Sequence, residues 1–182
     1  MTTKELEDSL SRFLFTDSTK CVCKRFMGAG YSEMDVSKIT NSDYIYEYEL
    51  KISRGDFLKE TKNFNENLDR RKFMKHKFMK QVYESNVKIK TRSKKTNKIP
   101  NKFYFVCPTN LIKVEEILPY HGLIYFDGIN FEVIKEAIFL HKNKVDDKTI
   151  FRMLKTLSER NVFEGKSKIT YLVNNISTEA KS

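Results

Sequence analysis

The segment YIYEYELKIS, residues 44–53, alternates bulky apolar side chains with charged or small polar ones. Successive side chains of a β-strand point to opposite faces of its sheet, so this alternation predicts a strand with two chemically different faces. One face carries Tyr46, Tyr48, Leu50 and Ile52, and the other carries Glu47, Glu49, Lys51 and Ser53. Two interpretations are open at this point: an ordinary half-exposed strand whose charges face water, and a strand that presents a functional group of charges.

The net charge of +10 is concentrated in one part of the chain. Residues 70–102 contain thirteen basic side chains and one acidic side chain, Glu84. Such a block suits the polyphosphate backbone of a nucleic acid, although a solvated helix face followed by a lysine-rich loop would have the same composition.

Length and composition indicate one globular domain over residues 1–182. No apolar run approaches the roughly 20 residues of a membrane helix, and the N-terminus lacks the apolar region of a secretion signal. We therefore expect a protein that is neither membrane-associated nor secreted and that stays in a cytoplasm or nucleus, with the cytoplasm of a bacterial or infected host cell preferred. Abundant Lys, Asn and Ile suggest an AT-rich genome, as in a phage or virus. Three cysteines without a CxxC pair support neither a disulfide framework nor a zinc site, and Cys21 and Cys23 are expected in the core.

Helices are predicted at about 3–15, 68–83 and 147–161, and another helical region begins at 57–62. The first of these has a capping box from Thr2 to Glu5. Strand patterns occur in STKCVCKRF, YSEMDVSKIT, the segment at 44–53, KFYFVCP, and on both sides of Asp127-Gly128. This mixed order predicts a single α/β or α+β domain, with a basic flexible loop at about 86–101 and a frayed tail at about 177–182.

A second pair of acids, Glu33 and Asp35, precedes the strand at 44–53. If the two segments run antiparallel around the turn TNSD, Asp35 approaches Glu49 and Lys51. Converging carboxylates repel each other unless a cation lies between them, so the pattern predicts a Mg²⁺ or Mn²⁺ site to which the main-chain carbonyl of Leu50 can contribute. Lys51 would orient an attacking water or neutralise a phosphate, as metal-assisted phosphodiester hydrolysis requires.

Asp35 followed fourteen residues later by Glu49-Leu50-Lys51 resembles the D...(D/E)xK signature of the PD-(D/E)XK nuclease superfamily. The continuation YELKISRGDFLKE is similar to the EvKxSrxDF segment of the MmcB-like DNA-repair group and related phage proteins in that superfamily. KFYFVCPTNLIK and LPYHGLIYFDG are similar to that group's buried strand ending in proline and the strand that follows it. The resemblance covers residues 30–130, and it implies an α/β, restriction-endonuclease-like core with a mixed central β-sheet flanked by helices.

The resemblance implies a metal-dependent deoxyribonuclease. Asp35, Glu49 and the carbonyl of Leu50 would hold Mg²⁺ or Mn²⁺, and Lys51 would be the catalytic lysine. Met34 stands where the superfamily's signature has proline, which leaves Glu33 as an alternative or additional acid.

The resemblance also suggests roles for residues around this signature. Asp56 is expected to cap the next helix. Arg54 would contact phosphate or form a structural salt bridge, and Lys75 would contact phosphate or remain solvated. The predicted nucleic-acid-binding residues are Arg54, Arg71, Lys75, Lys80, Lys94 and Lys95.

The helix at 68–83 is expected to turn Phe73, Met74, Phe78 and Val82 toward the core. His121 and His141 are expected to be ordinary surface or hydrogen-bonded residues, and His76 lies in the lysine-rich helix, where a contact with phosphate is open.

A second hypothesis is a nucleic-acid-binding module that retains the nuclease fold without turnover. A ribonuclease with the same site also remains open, because paired carboxylates do not distinguish the sugar's 2′-hydroxyl. The choice between endonuclease and exonuclease is open as well, and so is a homodimer, since many nucleases of this fold pair to cut two strands.

Overall fold

The computed structural model describes residues 1–27, 33–61, 70–88 and 99–163. Within these ranges six strands form one sheet, and their order across the sheet is their order along the chain. The strands are β1 (Thr19–Phe26), β2 (Met34–Thr40), β3 (Ile45–Leu50), β4 (Lys102–Pro108), β5 (Gly122–Phe126) and β6 (Phe131–Lys135). β4 runs parallel to β3 and β5, and the other neighbouring pairs are antiparallel.

In the described part of the chain four α-helices accompany the sheet: α1 (Thr3–Leu14), α2 (Arg54–Thr61), α3 (Arg70–Lys88) and α4 (Asp147–Phe163). α1 begins with the predicted capping box. The Thr2 hydroxyl accepts from the Glu5 amide at 3.2 Å, and the Glu5 carboxylate accepts from the Thr2 amide at 2.7 Å. The four helical segments predicted from sequence are confirmed, although α3 continues to Lys88 rather than ending near residue 83.

The two faces of the sheet are covered by different helices. On one face Tyr48 and Leu50 pack with Leu6 and Leu10 of α1. The opposite face carries Phe103, Phe105 and Leu123, which pack with Phe57 of α2 and Met79 of α3. The predicted α/β class, a mixed sheet flanked by helices, is therefore confirmed.

α4 closes the outer end of the sheet beside β1. Its Met153 and Ile150 pack with Cys21, Cys23 and Ile39. The expectation that Cys21 and Cys23 are core residues is confirmed, and Cys107 is also buried with a free thiol.

β2 and β3 form the antiparallel pair that the sequence predicts, with Val36 opposite Tyr48 and Ser37 opposite Glu47. Continuing this register by one residue sets Asp35 level with Glu49. The two acids singled out in the sequence thus lie on adjacent strands, near the C-terminal end of β3.

Parts of the predicted loop at 86–101 (residues 89–98) and the whole predicted tail at 177–182 lie outside the described residues. None of the helices in the described ranges is long and apolar enough to cross a membrane.

Candidate functional site

The charged face of β3 is buried. Glu47 and Glu49 are 0% exposed and Lys51 is 2% exposed, because this face of the strand is covered by α2 and α3 while the tyrosines and Leu50 face α1. The interpretation in which these charges simply face water is therefore wrong. Burying ionised side chains is costly unless each has a partner, so the partners define the site.

α3 supplies two lysines to this face. Lys75 Nζ contacts Glu47 Oε1 and lies 3.5 Å from Glu49 Oε2. Lys72 Nζ contacts Glu49 Oε1 and lies 3.4 Å from Glu60 Oε2. Burial lowers the pKa of Lys75, but the carboxylates of Glu47 and Glu49 more than offset it and raise that pKa above its usual value. Burial likewise lowers the pKa of Lys72, but Glu49 and Glu60 outweigh it, so both helical lysines remain cationic.

Lys51 is held between acids from two elements. Its Nζ lies 3.0 Å from Glu49 Oε1 and 2.6 Å from Glu60 Oε2 of α2, with Asp56 Oδ2 at 3.7 Å. Burial alone would lower the pKa of Lys51, but Glu49 and Glu60 outweigh it, and the net pKa is raised. The ammonium is thus fixed and charged beside the carboxylates, turned away from bulk solvent.

Asp35 reaches the same place from β2. Its Oδ2 accepts a hydrogen bond from the Leu50 amide at 2.8 Å. Burial, and next the charge of Glu49, raise the pKa of Asp35 to about 7. In the part of the chain that the structure describes, no ion pair is formed by Asp35, so it is the acid of this group that lacks a cation.

Among the described side chains, the charges of the cluster do not balance when its carboxylates are ionised. Apart from the half-exposed Asp56, the four carboxylates belong to Asp35, Glu47, Glu49 and Glu60, and the three ammonium groups belong to Lys51, Lys72 and Lys75. Four ionised acids against three bases leave one negative charge, and the contacts above leave it at Asp35. Burial also raises the pKa of Glu47 to about 7 despite the opposing charge of Lys75. A further cation would balance this site.

Glu33 is exposed and precedes β2. Of the two acids left open by the sequence, Asp35 is therefore the one that lies against β3. Leu50 directly follows Glu49 in the chain, and its amide donates to the Asp35 carboxylate.

Glu60 and His76 form a second buried pair, which the sequence interpretation did not identify. His76 Nε2 lies 2.8 Å from Glu60 Oε1. Burial raises the pKa of Glu60, but the hydrogen bond from His76 and the charges of His76 and Lys51 lower it well below its usual value. Burial lowers the pKa of His76. Glu60 is therefore ionised, and because a carboxylate only accepts hydrogen bonds, His76 Nε2 donates to it.

The remaining histidines differ from one another. His121 is buried against Phe103, Phe105 and Tyr120, and its ring nitrogens have no hydrogen-bond partner among the described residues, so the expected surface or hydrogen-bonded position is wrong. His141 is confirmed as a hydrogen-bonded residue: its Nε2 lies 3.0 Å from the Ile99 carbonyl oxygen.

α3 turns a different face inward from the one expected. Lys75, His76, Met79 and Val82 are buried, whereas three of the four predicted core residues, Phe73, Met74 and Phe78, are only partly buried. The spacing of Lys72, Lys75, His76 and Met79 at i, i+3, i+4 and i+7 is the available sequence signal for this face. The spacing does not by itself predict a buried face, because lysine and histidine are usually assigned to the surface of a helix.

The structure also bears on the roles expected of Asp56 and Arg54, which follow the ExK segment. Ser53, not Asp56, caps α2, since the Ser53 hydroxyl accepts from the Asp56 amide at 3.2 Å. Arg54 forms the structural salt bridge that was one of its two alternatives: its guanidinium pairs with both carboxylate oxygens of Glu116 and donates to the Leu111 carbonyl at 3.1 Å.

The other predicted nucleic-acid contacts divide into three groups. Lys75 is neither solvated nor on the surface, because its ammonium is buried against Glu47 and Glu49. Lys80 is exposed, 3.9 Å from Glu84 one turn further along the helix. The side chain of Arg71 and all of Lys94 and Lys95 lie outside what the structure describes.

The carboxylates of Asp35 and Glu49 are the side chains that a divalent ion could bind. Within the described ranges no group of three or more Asp, Glu, His or Cys side chains is placed to hold a metal. Asp35 and Glu49 nevertheless provide two neighbouring carboxylates with one uncompensated charge. Mg²⁺ commonly binds through one or two carboxylates and keeps several waters, so this pair fits such an ion.

Comparisons with known proteins bear on the fold alone. No family model matches the chain, and no curated protein matches its sequence. A solved structure of a protein of unknown function from Silicibacter pomeroyi is similar over 94% of this chain and 97% of that chain, with 14% identity and a TM-score of 0.57. At this identity the likeness shows that the arrangement of helices and sheet is shared.

Proposed function

We propose that this protein is a metal-dependent nuclease that hydrolyses phosphodiester bonds in DNA, and that its sheet is the restriction-endonuclease-like variant of the mixed α/β class. The observation that carries the proposal is the meeting of Asp35 and Glu49 on adjacent strands, with Asp35 lacking a cation and Lys51 beside them. The order Asp, then Glu-x-Lys on the next strand, is the order in the superfamily that the sequence resembles.

Each residue of the proposed site has a separate role. Asp35, Glu49 and the carbonyl of Leu50 would hold Mg²⁺ or Mn²⁺. A bound ion of this kind activates water and offsets charge on the phosphate. Lys51 has three N–H donors, and Glu49 and Glu60 accept two of them, which leaves one for the attacking water or a phosphate oxygen.

Glu60 and His76 hold the ammonium group of Lys51 in position. His76 donates to Glu60, and Glu60 accepts from Lys51, so the ammonium is held by a chain of buried hydrogen bonds. A group locked in this way loses little entropy when it aligns a reactant. We assign Glu60 and His76 as positioning residues, and the basic residues of 70–102 as the source of attraction for the nucleic-acid backbone.

Cleavage assays test the proposal directly. Plasmid, single-stranded and branched DNA are incubated with Mg²⁺ or Mn²⁺ and the wild type, Lys51→Ala or Lys155→Ala. Lys155 is an exposed lysine of α4 outside the basic block at 70–102, so its replacement removes the same charge without touching the cluster or the proposed DNA-binding residues. Cleavage that is lost only with Lys51→Ala supports the nuclease. Equal cleavage by the wild type and Lys51→Ala would remove the assignment.

The second candidate is a nucleic-acid-binding module without turnover, and one observation favours it. The lysines of the cluster already contact Glu47, Glu49 and Glu60, so most of its negative charge is compensated without a metal. This candidate expects salt-sensitive DNA binding and no heat of Mn²⁺ binding. Under the nuclease proposal, Mn²⁺ gives a binding isotherm that is lost in Glu49→Ala.

A further inference from the structure

Lys72 occupies a distinctive position among the cations of the cluster. Its ammonium contacts Glu49 Oε1, the carboxylate oxygen that Lys51 also contacts at 3.0 Å. Its ammonium also lies 3.4 Å from Glu60 Oε2. Lys72 is thus a positive charge in contact with the proposed metal ligand Glu49.

Exposure distinguishes Lys72 from its neighbours. The side chain of Lys72 is 31% exposed, whereas those of Lys51 and Lys75 are 2% and 3% exposed. An ammonium that leaves a buried partner must recover its hydration elsewhere, and only a side chain that reaches solvent can do so at small cost. Of the three ammonium groups, Lys72 is the one that can exchange.

We propose that Lys72 is a built-in counterion of the metal site, which neutralises Glu49 in the metal-free protein and withdraws from Glu49 when a divalent cation binds. This inference rests on the proposed metal site at Asp35 and Glu49. Lys51 and Lys75 remain in place during the exchange, so Glu49 keeps two of its three ammonium neighbours.

The charge balance explains why the ion displaces Lys72 and why Lys72 competes with the ion. With Lys72 present and the carboxylates of Asp35, Glu47, Glu49 and Glu60 ionised, a divalent ion would leave this group of charges with one excess positive charge. Withdrawal of Lys72 leaves two excess negative charges, which a divalent ion neutralises. Lys72 therefore competes with the ion, and its removal should tighten metal binding.

Calorimetric titration of the full chain with MnCl₂ tests this competition. The variants are Lys72→Met, which removes the charge, Lys72→Arg, which retains it, and Lys80→Met, which removes an exposed charge elsewhere on α3. A unit charge within contact distance of the ion, in a partly exposed site, is expected to change affinity by about tenfold. We expect Lys72→Met to bind Mn²⁺ about tenfold more tightly than the wild type, and the other two variants to stay within about twofold of it.

The outcomes separate the inference from the function on which it rests. If Lys72→Met binds Mn²⁺ no more tightly than the wild type, the counterion role is wrong while the metal site stands. If neither protein shows binding heat, the metal site itself is wrong and the inference falls with it.

A measurement on the unsubstituted chain keeps the inference testable should Lys72→Met not fold. Lysines are labelled by reductive ¹³C-methylation, which preserves their charge, and the Lys72 signal is identified by its absence in Lys72→Arg. Adding Mg²⁺ should move this signal toward that of a solvated lysine. A signal that stays in place while Mg²⁺ binds would overturn the exchange.

Discussion

Replacing Asp35 with asparagine should stabilise the protein at alkaline pH. The carboxyl group of Asp35 is buried beside Glu49, and its pKa is raised from 3.8 to about 7. The asparagine side chain keeps a carbonyl oxygen that can accept from the Leu50 amide, so the substitution removes the unfavourable charge and preserves the hydrogen bond.

The sign and size of the change in the free energy of unfolding follow from the protons bound by the folded and unfolded protein. Since the folded-state pKa lies above that of an ordinary aspartate, the folded protein retains a proton that the unfolded chain has released between about pH 4 and pH 7. The free energy of unfolding therefore falls as the pH rises through this interval. The full displacement corresponds to about 4 kcal/mol, and partial exposure of Asp35 reduces the expected gain to about 2 kcal/mol.

The assay is urea denaturation in EDTA at pH 4, 6 and 8. Asp35→Asn should match the wild type at pH 4 and exceed its free energy of unfolding by about 2 kcal/mol at pH 8, with pH 6 between them. Glu132→Gln, which removes an exposed carboxylate from β6, is the matched control and should show no such trend. A difference that is the same at all three pH values, or destabilisation at pH 8, would refute the reasoning.

Further predictions concern the scaffold. Lys75→Met should lower the free energy of unfolding by about 3 kcal/mol because it leaves Glu47 buried without its cation, and adding Glu47→Gln should restore part of that loss in a double-mutant cycle. Additive losses would contradict this account. Arg54→Ala should leave the urea midpoint unchanged, since its pair with Glu116 is exposed; a clear drop would contradict it. Gly122→Ala should destabilise by about 2 kcal/mol or more, because a Cβ atom there would overlap the Tyr104 ring, and an unchanged thermal midpoint would contradict the overlap.

Local patterns were sufficient for much of the fold. The Thr2–Glu5 capping box located the start of α1, and the alternation at 44–53 assigned the faces of β3. Both signals depend on neighbours within a few residues, which sequence displays directly. The pairing of β2 with β3 followed because a short turn leaves an antiparallel hairpin as the simplest connection.

The buried contacts of the charged face of β3 could not be predicted from the sequence. Glu60 and His76 meet across 16 residues, and Lys75 meets Glu47 across 28, through the docking of α2 and α3 on the sheet. A lysine on a basic helix has the same local pattern whether it faces water or a buried acid, so the interior position of Lys75 could not be read from its neighbours. Arg54 illustrates the same limit, because its partner Glu116 lies 62 residues away.

The central claim is that Asp35 and Glu49 share one divalent cation beside Lys51. Crystals soaked in Mn²⁺ and measured at a wavelength with manganese anomalous scattering test it most directly. The account predicts an anomalous peak between the two carboxylates, with Lys51 still against Glu49 and Lys72 withdrawn from it. A map with no peak between Asp35 and Glu49, while Lys72 stays on Glu49, would contradict it.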